Sequence, residues 1–386
     1  MKRIKTTERP GWDEKAEALG FTWRHLDGER YWDERAYYAF TLPEIEDGIE
    51  APARELHAMC LDLVADVVKS EELMAKLAIP EGSRDDVAES WARKDPSLYG
   101  RFDFAYDGTG PAKLYEYNAD TPTSIYESGA FQWIWLEDMI AVGRLPANAD
   151  QFNSLHEKLE QRFRAIFPTG GFVHFASDPD TVEDRQTVKY LEDIAAQAGI
   201  EPKFVPIAEI GLDADGRFVD QDGYILQAIF KLYPWEEMFR EDYGPKIAAS
   251  KTRFLEPPWK AILSNKGMLP LLWQRHAGHP NLLPAFFEGD PASAELAKSY
   301  VRKPLFSREG ANIELVDDGR RAKVLDQGYG EEGHIRQALH ALTSFDGNYP
   351  VVGAWIVGDE PAGVGIREDR SRVTRNLSRF TPHVIL

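Results

Sequence analysis

Cysteine is nearly absent from this 386-residue chain, in which Cys60 stands alone. A single thiol cannot build an intramolecular disulfide framework or a cysteine-ligated zinc site. Long apolar runs are missing too, and nothing approaches the roughly 20 consecutive apolar residues that a membrane-spanning helix needs. The opening stretch, MKRIKTTERPGWDEK, is charged and lacks the apolar core of a secretory leader. Together these absences set the expectation of a cytoplasmic protein with no membrane partner. Basic residues are outnumbered: 45 Lys and Arg face 64 Asp and Glu, a formal net charge of −19. Such a surface repels a phosphate backbone and argues against nucleic-acid binding. It suits a cationic substrate such as an amine and, more simply, solubility. The sequence leaves the oligomeric state open.

What is present is enough apolar material for a sizeable core, 43% of residues. Residues 44–77 have helical apolar spacing and few breakers, which predicts one or two helices. Residues 124–140 predict another, after the start signal TPTS, and 151–165 continue helically. GGFVHFAS (170–177) reads as a strand, 185–199 as a helix closed by Gly199, and KFVPIAEI as a second strand. That order predicts a parallel α/β unit. The second half is richer in strands. GYILQAIFKLYPW contains one, and KAILSNKGMLPLLW (260–273) is expected to cross from strand to helix. YVRKPLFSREGANIEL, RAKVLDQ and YPVVGAWIVGDEPAGVGIRED read as hairpin strands. No repeat or low-complexity linker divides the chain. The expected class is therefore α/β (α+β), a single module over 1–386 with interleaved lobes near 1–165, 166–250 and 251–386.

Several motifs carry less than they suggest. GYGEEG (328–333) fits the G-x-G-x-x-G pattern, but Glu331 and Glu332 are electrostatically wrong for a pyrophosphate loop. A glycine-rich turn is the better reading. His57 and Cys60 lie three apart on a predicted helix, where a cysteine is usually a small hydrophobe. HAGH (276–279) has no further ligand nearby, and Trp133 and Trp135 are expected in the core.

The chemistry concentrates elsewhere. In KLYEYNAD (113–120), Glu116 and Asn118 share one face of a strand, because alternate residues point the same way. DGTGPA before it has the glycine and proline of a turn, and YGRFDFAYDG before that carries Arg101 and Asp103. Closing this hairpin sets Asp103 beside Glu116 and Asn118. Three hard oxygen donors at one place suit Mg²⁺ that keeps waters and bridges nucleotide phosphates, and a solvated hairpin face is the alternative. Lys266 and Lys303 are expected in strand settings, with Gly310 following Lys303 in a loop. Arg367, Arg370, Arg372 and Arg375 cluster in GVGIREDRSRVTRN, which suits an anionic ligand or, equally, a solvated face paired with acids.

The ordered motifs YGRFDFAYDG…KLYEYNADTPTS…WLED, VRKPLFSREGANI and FDGNYPVVGAWIVGDEPAGVGIREDRSRVTRNLSRF resemble the glutathionylspermidine synthase family, and more closely its stand-alone acid–amine ligase branch. The resemblance runs along essentially the whole chain. It implies an ATP-grasp fold in permuted order, with the metal ligands ahead of the ATP lysines. It implies Mg²⁺ ligands at Asp103, Glu116 and Asn118, which makes the hairpin part of the first lobe, and ATP lysines at Lys266 and Lys303. The phosphate loop would be Glu309, Gly310, Ala311 and Asn312, and the adenine hinge Gln337, Ala338, Leu339 and His340. Arg372, Val373 and Thr374 would also meet ATP. Arg367 matches the arginine that steadies the reacting acyl centre. Arg101, also placed with the catalytic groups, and Thr121 match acid contacts, and Asp184 falls with the substrate contacts. The bifunctional members carry an additional N-terminal amidase domain, for which this chain has no room. KLYPWE (231–236) aligns loosely with the tripeptide-binding segment, which leaves the acid and the amine unnamed.

The activity implied is an ATP-dependent ligase that activates a carboxylic acid or peptide as an acyl phosphate and transfers it to an amine. A small-molecule kinase and a non-catalytic nucleotide-binding protein are the alternatives. Dependence of ADP release on an added amine separates the first from a ligase. The intact acidic set and both lysines speak against the second.

Overall fold

The computed structural model describes residues 1–26, 28–308, 310–323, 328–372 and 378–386. Along the chain come β1 (Lys2–Lys5), α1 (Trp12–Ala18), β2 (Ala36–Phe40) and α2 (Ala51–Val67). The hairpin follows as β3 (Tyr99–Ala105) and β4 (Lys113–Asn118), then α3 (Gln132–Ala141) and α4 (Leu155–Ile166). Next are β5 (Gly171–Ser177), α5 (Val182–Gln197), β6 (Ile200–Pro206), β7 (Ala228–Lys231), β8 (Arg253–Leu255) and α6 (Met268–Arg275). The last third is almost all strand: β9 (Ala285–Phe287), β10 (Tyr300–Pro304), β11 (Glu314–Asp317), β12 (Arg320–Lys323) and β13 (His334–Ala338). It ends with β14 (Tyr349–Val357), β15 (Glu360–Asp369), β16 (Arg379–Phe380) and β17 (His383–Ile385).

Three larger sheets result, with strand orders β16-β15-β14-β3-β4, β9-β13-β10-β11-β12 and β8-β7-β5-β6. The first joins the two ends of the sequence, because β3 pairs with β14 antiparallel, Asp103 opposite Gly353. A small sheet does the same, with β17 parallel to β2. The predicted parallel unit is present, β5 beside β6 with α5 between them in sequence and Gly199 at φ 89° closing the helix. The class is α+β.

The first sheet positions the site because it is covered on both faces and divides its residues by parity. Phe102, Phe104, Val352, Ala354 and Val364 face the largest apolar cluster, which includes Leu56, Leu63 and Leu272 of the helices. Tyr99, Trp355 and Val357 belong to a second cluster, with α4 and α5. Arg101 and Asp103 alternate with the phenylalanines and so point away from the first cluster. A bulge in β4 sets its polar face. Asp103 pairs with Glu116 and Phe104 with Leu114, leaving Tyr115 as the extra residue. Leu114 and Tyr117 therefore both reach the core.

Three local expectations are corrected. Residues 260–273 contain no strand: Pro258–Lys260 and Ala261–Ser264 form one short helical stretch before α6. A continuous apolar run cannot by periodicity alone separate a buried helix from a strand. The strand expected at 203–210 starts earlier, at Ile200, and gives way to a helical turn at Ile207–Glu209. Trp135 is fully buried, but Trp133 is 54% exposed. Two residues apart on a helix lie about 200° apart, so one side chain faces the core and the other does not.

Candidate active site

Asp103, Glu116 and Asn118 are brought together as the hairpin reading requires. Asp103 lies opposite Glu116 and Arg101 opposite Asn118 across β3 and β4. All four line one cleft of about 660 Å³ between the first sheet and the β9–β13 sheet, a volume usual for ligand sites. Asn118 Nδ2 donates to Asp103 Oδ2 at 3.3 Å, which turns its amide oxygen away from the aspartate. Among the described residues no group of three or more His, Cys, Asp and Glu is arranged to hold a metal. Two carboxylates and one amide oxygen still fit a hard dication that takes its remaining ligands from water or phosphate, which is how Mg²⁺ is usually held beside nucleotides.

Cations surround these oxygens. Arg101 Nε donates to Asp103 Oδ1 at 2.7 Å, its Nη2 to Oδ2 at 3.2 Å, and its Nη1 to the Thr123 carbonyl at 2.9 Å. Arg367, on β15, donates from Nη2 to Asp103 Oδ2 at 2.9 Å. Gly353 makes this approach feasible: a Cβ there would meet Arg101 Cδ at 2.8 Å. Lys266 Nζ lies 3.2 Å from Glu116 Oε2 and donates to the Ser307 carbonyl at 2.7 Å. This lysine is not on a strand. It sits in the link before α6, fixed because its backbone N–H donates to the Leu305 carbonyl at 2.9 Å. Asn265 braces the same link, its Nδ2 donating to the Leu77 carbonyl at 2.6 Å. Lys303 is on β10 as expected and donates to Tyr115 O at 2.9 Å and Gln337 Oε1 at 2.8 Å.

The electrostatics are mutual. Burial pushes the Glu116 carboxyl up, but Lys266 and Lys303 outweigh it and hold the group at about 2. Burial lowers the Lys303 ammonium to about 8, with Lys266 adding to the fall and Glu116 and Asp103 opposing it.

Of the other expected residues, Gly310, Gln337, Ala338, Leu339 and His340 line the cleft, as do Thr121, Asp184 and Arg372. The Gln337 side chain is committed, since its Nε2 donates to Leu114 O at 3.0 Å while its Oε1 accepts from Lys303. Ala311 and Asn312 are buried in the turn after Gly310, where Asn312 Nδ2 donates to Tyr329 O. They are not on the cleft wall. Glu309, Val373, Thr374 and Arg375 fall outside the described residues. GYGEEG is a turn leading into β13, with Gly328, Gly330 and Gly333 all at positive φ, as expected. Cys60 is fully buried, with its thiol pushed up by burial, and it lies in the core.

Sequence reasoning passed over three groups. Arg308 lines the cleft and donates from Nη2 to Glu236 Oε1 at 3.1 Å, joining the glycine loop to the KLYPWE segment. Asp120 accepts from the buried Lys231 at 2.6 Å and from Trp235 N at 2.9 Å, which anchors the loop carrying Thr121. Glu183 lines the cleft beside Asp184 and accepts from Tyr31 at 3.2 Å and Ser124 at 3.3 Å. The only sequence signal for these was adjacency to residues already singled out.

An α+β frame built around a strand-lined cleft, with two lysines and two arginines about a carboxylate–amide hairpin, is that of the ATP-grasp fold. The solved glutathione synthetase-like effector of Globodera pallida shares the fold, with a TM-score of 0.56 over 98% of both chains at 12% identity. The glutathionylspermidine synthase preATP-grasp family matches residues 3–386, and the chain belongs to that family. A Haemophilus influenzae protein named as a candidate acid–amine ligase is 39% identical over 99% of each chain. Crithidia fasciculata trypanothione synthetase is 32% identical over 84% of this chain and 53% of its own length. Escherichia coli bifunctional glutathionylspermidine synthetase/amidase is 30% identical over 91% and 59%. The chain thus spans little more than half of these two larger relatives. With family membership goes the enzyme class, an ATP-dependent carbon–nitrogen ligase. No helix among the described residues is long and apolar enough to cross a membrane.

Proposed function

We propose that this protein joins a small carboxylic acid or peptide to an amine, through an acyl phosphate made from ATP, with ADP and phosphate released. The observation that supports it best is the meeting of Arg367 from β15 with Asp103 from β3, 264 residues apart in sequence, in a cleft that two lysines also line. Asp103, Glu116 and Asn118 would hold Mg²⁺, which when bound neutralises charge on the nucleotide phosphates. Lys266 and Lys303 bind the phosphates, and Gly310 lets the loop backbone approach them. Gln337–His340 would form the adenine hinge, although the Ala338 N–H already donates to the Pro284 carbonyl and the His340 carbonyl accepts from the Tyr115 hydroxyl. Arg101 orients Asp103 and keeps N–H groups for the acid. Arg367 stabilises the oxyanion as the amine attacks. Thr121, Asp184 and Arg372 complete the substrate and nucleotide walls.

The test is an ADP-release screen of amino acids, peptides and other acids, with hydroxylamine in place of the amine. The expected result is an acid-dependent hydroxamate formed only with ATP and Mg²⁺. ADP release that yields a stable phosphorylated product and no hydroxamate would show a kinase instead.

A further inference from the structure

The two carboxylates at the expected metal position are both already ion-paired, with Lys266 and Arg367 from elsewhere in the fold and with Arg101 from the same strand as Asp103. Glu116 has Lys266 at 3.2 Å. Asp103 has Arg101 at 2.7 Å and Arg367 at 2.9 Å. Lys303 faces the same space from β10, held at 2.8 Å by Gln337. Four cationic groups therefore stand around two carboxylates, and Asp103, Arg101 and Lys303 are all buried. A hydrated dication entering alone would meet net positive charge in a poorly screened cleft and would have to displace Lys266 and Arg367 from their partners. A polyphosphate entering meets the opposite situation, since it supplies the anions to which these cations can turn.

We infer that Lys266 and Arg367 are specificity-determining residues that bar free divalent cations from Asp103 and Glu116, so that metal enters only in the company of a polyphosphate. This rests on the reading of the cleft as a nucleotide site. The ion pairs break when phosphate oxygens take over Lys266 and the terminal phosphoryl group, where the acyl centre later forms, draws off Arg367, and the freed carboxylates then face the metal. Arg101 is bound on two sides, to Asp103 and to the Thr123 carbonyl, and stays in place. The order has a consequence for the empty enzyme: free cellular divalent ions do not occupy Asp103 and Glu116.

The test uses the full chain with Mn²⁺ as the probe, read by the electron paramagnetic resonance of the hydrated ion, and with calorimetry for ATP. Wild-type protein is expected to leave Mn²⁺ free without nucleotide and to take it up when ATP is present. Lys266→Gln removes the nearest cation from Glu116, a half-buried carboxylate, and is expected to bind Mn²⁺ without nucleotide about tenfold or more tightly than wild type. Arg367→Gln, which frees one side of Asp103, serves as the second variant should Lys266→Gln fail to fold, folding being checked by circular dichroism. Wild type that takes up Mn²⁺ alone as tightly as the variants overturns the inference, and so do variants that gain no affinity. If ATP fails to bind with or without metal, it is the nucleotide reading that fails.

Discussion

Arg367 is the residue whose role is easiest to separate from its surroundings. Its guanidinium meets Asp103 at the cleft, and a group that binds developing oxyanion charge should affect turnover more than nucleotide affinity. Arg367→Ala is expected to lower kcat by about 10²–10³-fold. Arg367→Lys should restore little, because an ammonium lacks the planar fork. A kcat within about threefold of wild type would leave the residue without a catalytic part. Lys303 carries a pH signature. Burial holds its ammonium near 8, with Glu116, Lys266 and Asp103 the charged groups facing it. Below that pH the empty cleft presents a cation to phosphate, and above it the charge is lost. ATP affinity measured by calorimetry should therefore weaken as pH rises through about 8. Lys303→Ala should flatten that dependence and cost about 1–3 kcal/mol of binding at neutral pH. Glu127 has no part in the proposed chemistry and tests the electrostatics alone. Burial, with Glu183 nearby, raises its carboxyl to about 7, while Trp23 Nε1 donates to it at 2.6 Å. The unfolded chain ionises this group near its ordinary value, so the folded state carries a penalty that grows as pH climbs toward 7 and is full above it. Glu127→Gln, which keeps the acceptor for Trp23, should raise the melting temperature more at pH 8 than at pH 5. An equal or larger gain at pH 5 would contradict the buried-carboxyl account.

At the scale of elements, the β14–β15 hairpin fixes the geometry of the β3–β4 hairpin. Gly353 faces Asp103 across one ladder and Gly365 across the other. The missing side chain at Gly353 leaves the channel in which Arg101 lies, its Cζ 5.4 Å from the Trp355 ring centre. Gly353→Ala is expected to displace Arg101 and reduce turnover by about 10²-fold, while the melting temperature falls only slightly. An unchanged kcat would mean that Arg101 does not need this channel. Much at this scale was legible in the sequence. Alternation on YGRFDFA and KLYEYN, with a Gly/Pro turn between, set Asp103 beside Glu116 and Asn118, and the structure has Asp103 opposite Glu116. What was hidden had long-range causes. The bulge at Tyr115 follows from pairing that no local pattern encodes. Lys266 stands where a backbone bond to Leu305 holds a helix–helix link, and apolar AIL beside it reads equally well as strand or helix. Trp133 faces outward because helical phase, not hydrophobicity, decides which of two close tryptophans is covered.

At the scale of the whole molecule, the chain carries net charge −19 yet gathers Arg101, Lys266, Lys303, Arg308 and Arg367 into one cleft. Local concentration of cations against an acidic exterior is what an anionic nucleotide site requires, and focusing by low-dielectric walls lets it act despite the overall sign. The Glu183 and Asp184 pair on the same cleft gives a region of opposite charge, suited to an incoming ammonium. Arg308–Glu236 links the glycine loop to the segment before β8. Long ordered motifs made the family readable in the sequence. The acid and the amine were not, because cleft residues such as Glu183, Glu236 and Arg308 come from three separated stretches that only the fold unites. The central claim is that phosphoryl transfer from ATP is spent on making an amide. The most direct measurement is product analysis by mass spectrometry alongside ADP counting, with ATP, Mg²⁺ and an acid–amine pair identified by the screen. The account predicts a product with the mass of acid plus amine less one water, one ADP per amide, no AMP, and no amide when either substrate is omitted. ADP formed at an undiminished rate without the amine, together with a phosphorylated product that persists when the amine is added, would contradict it.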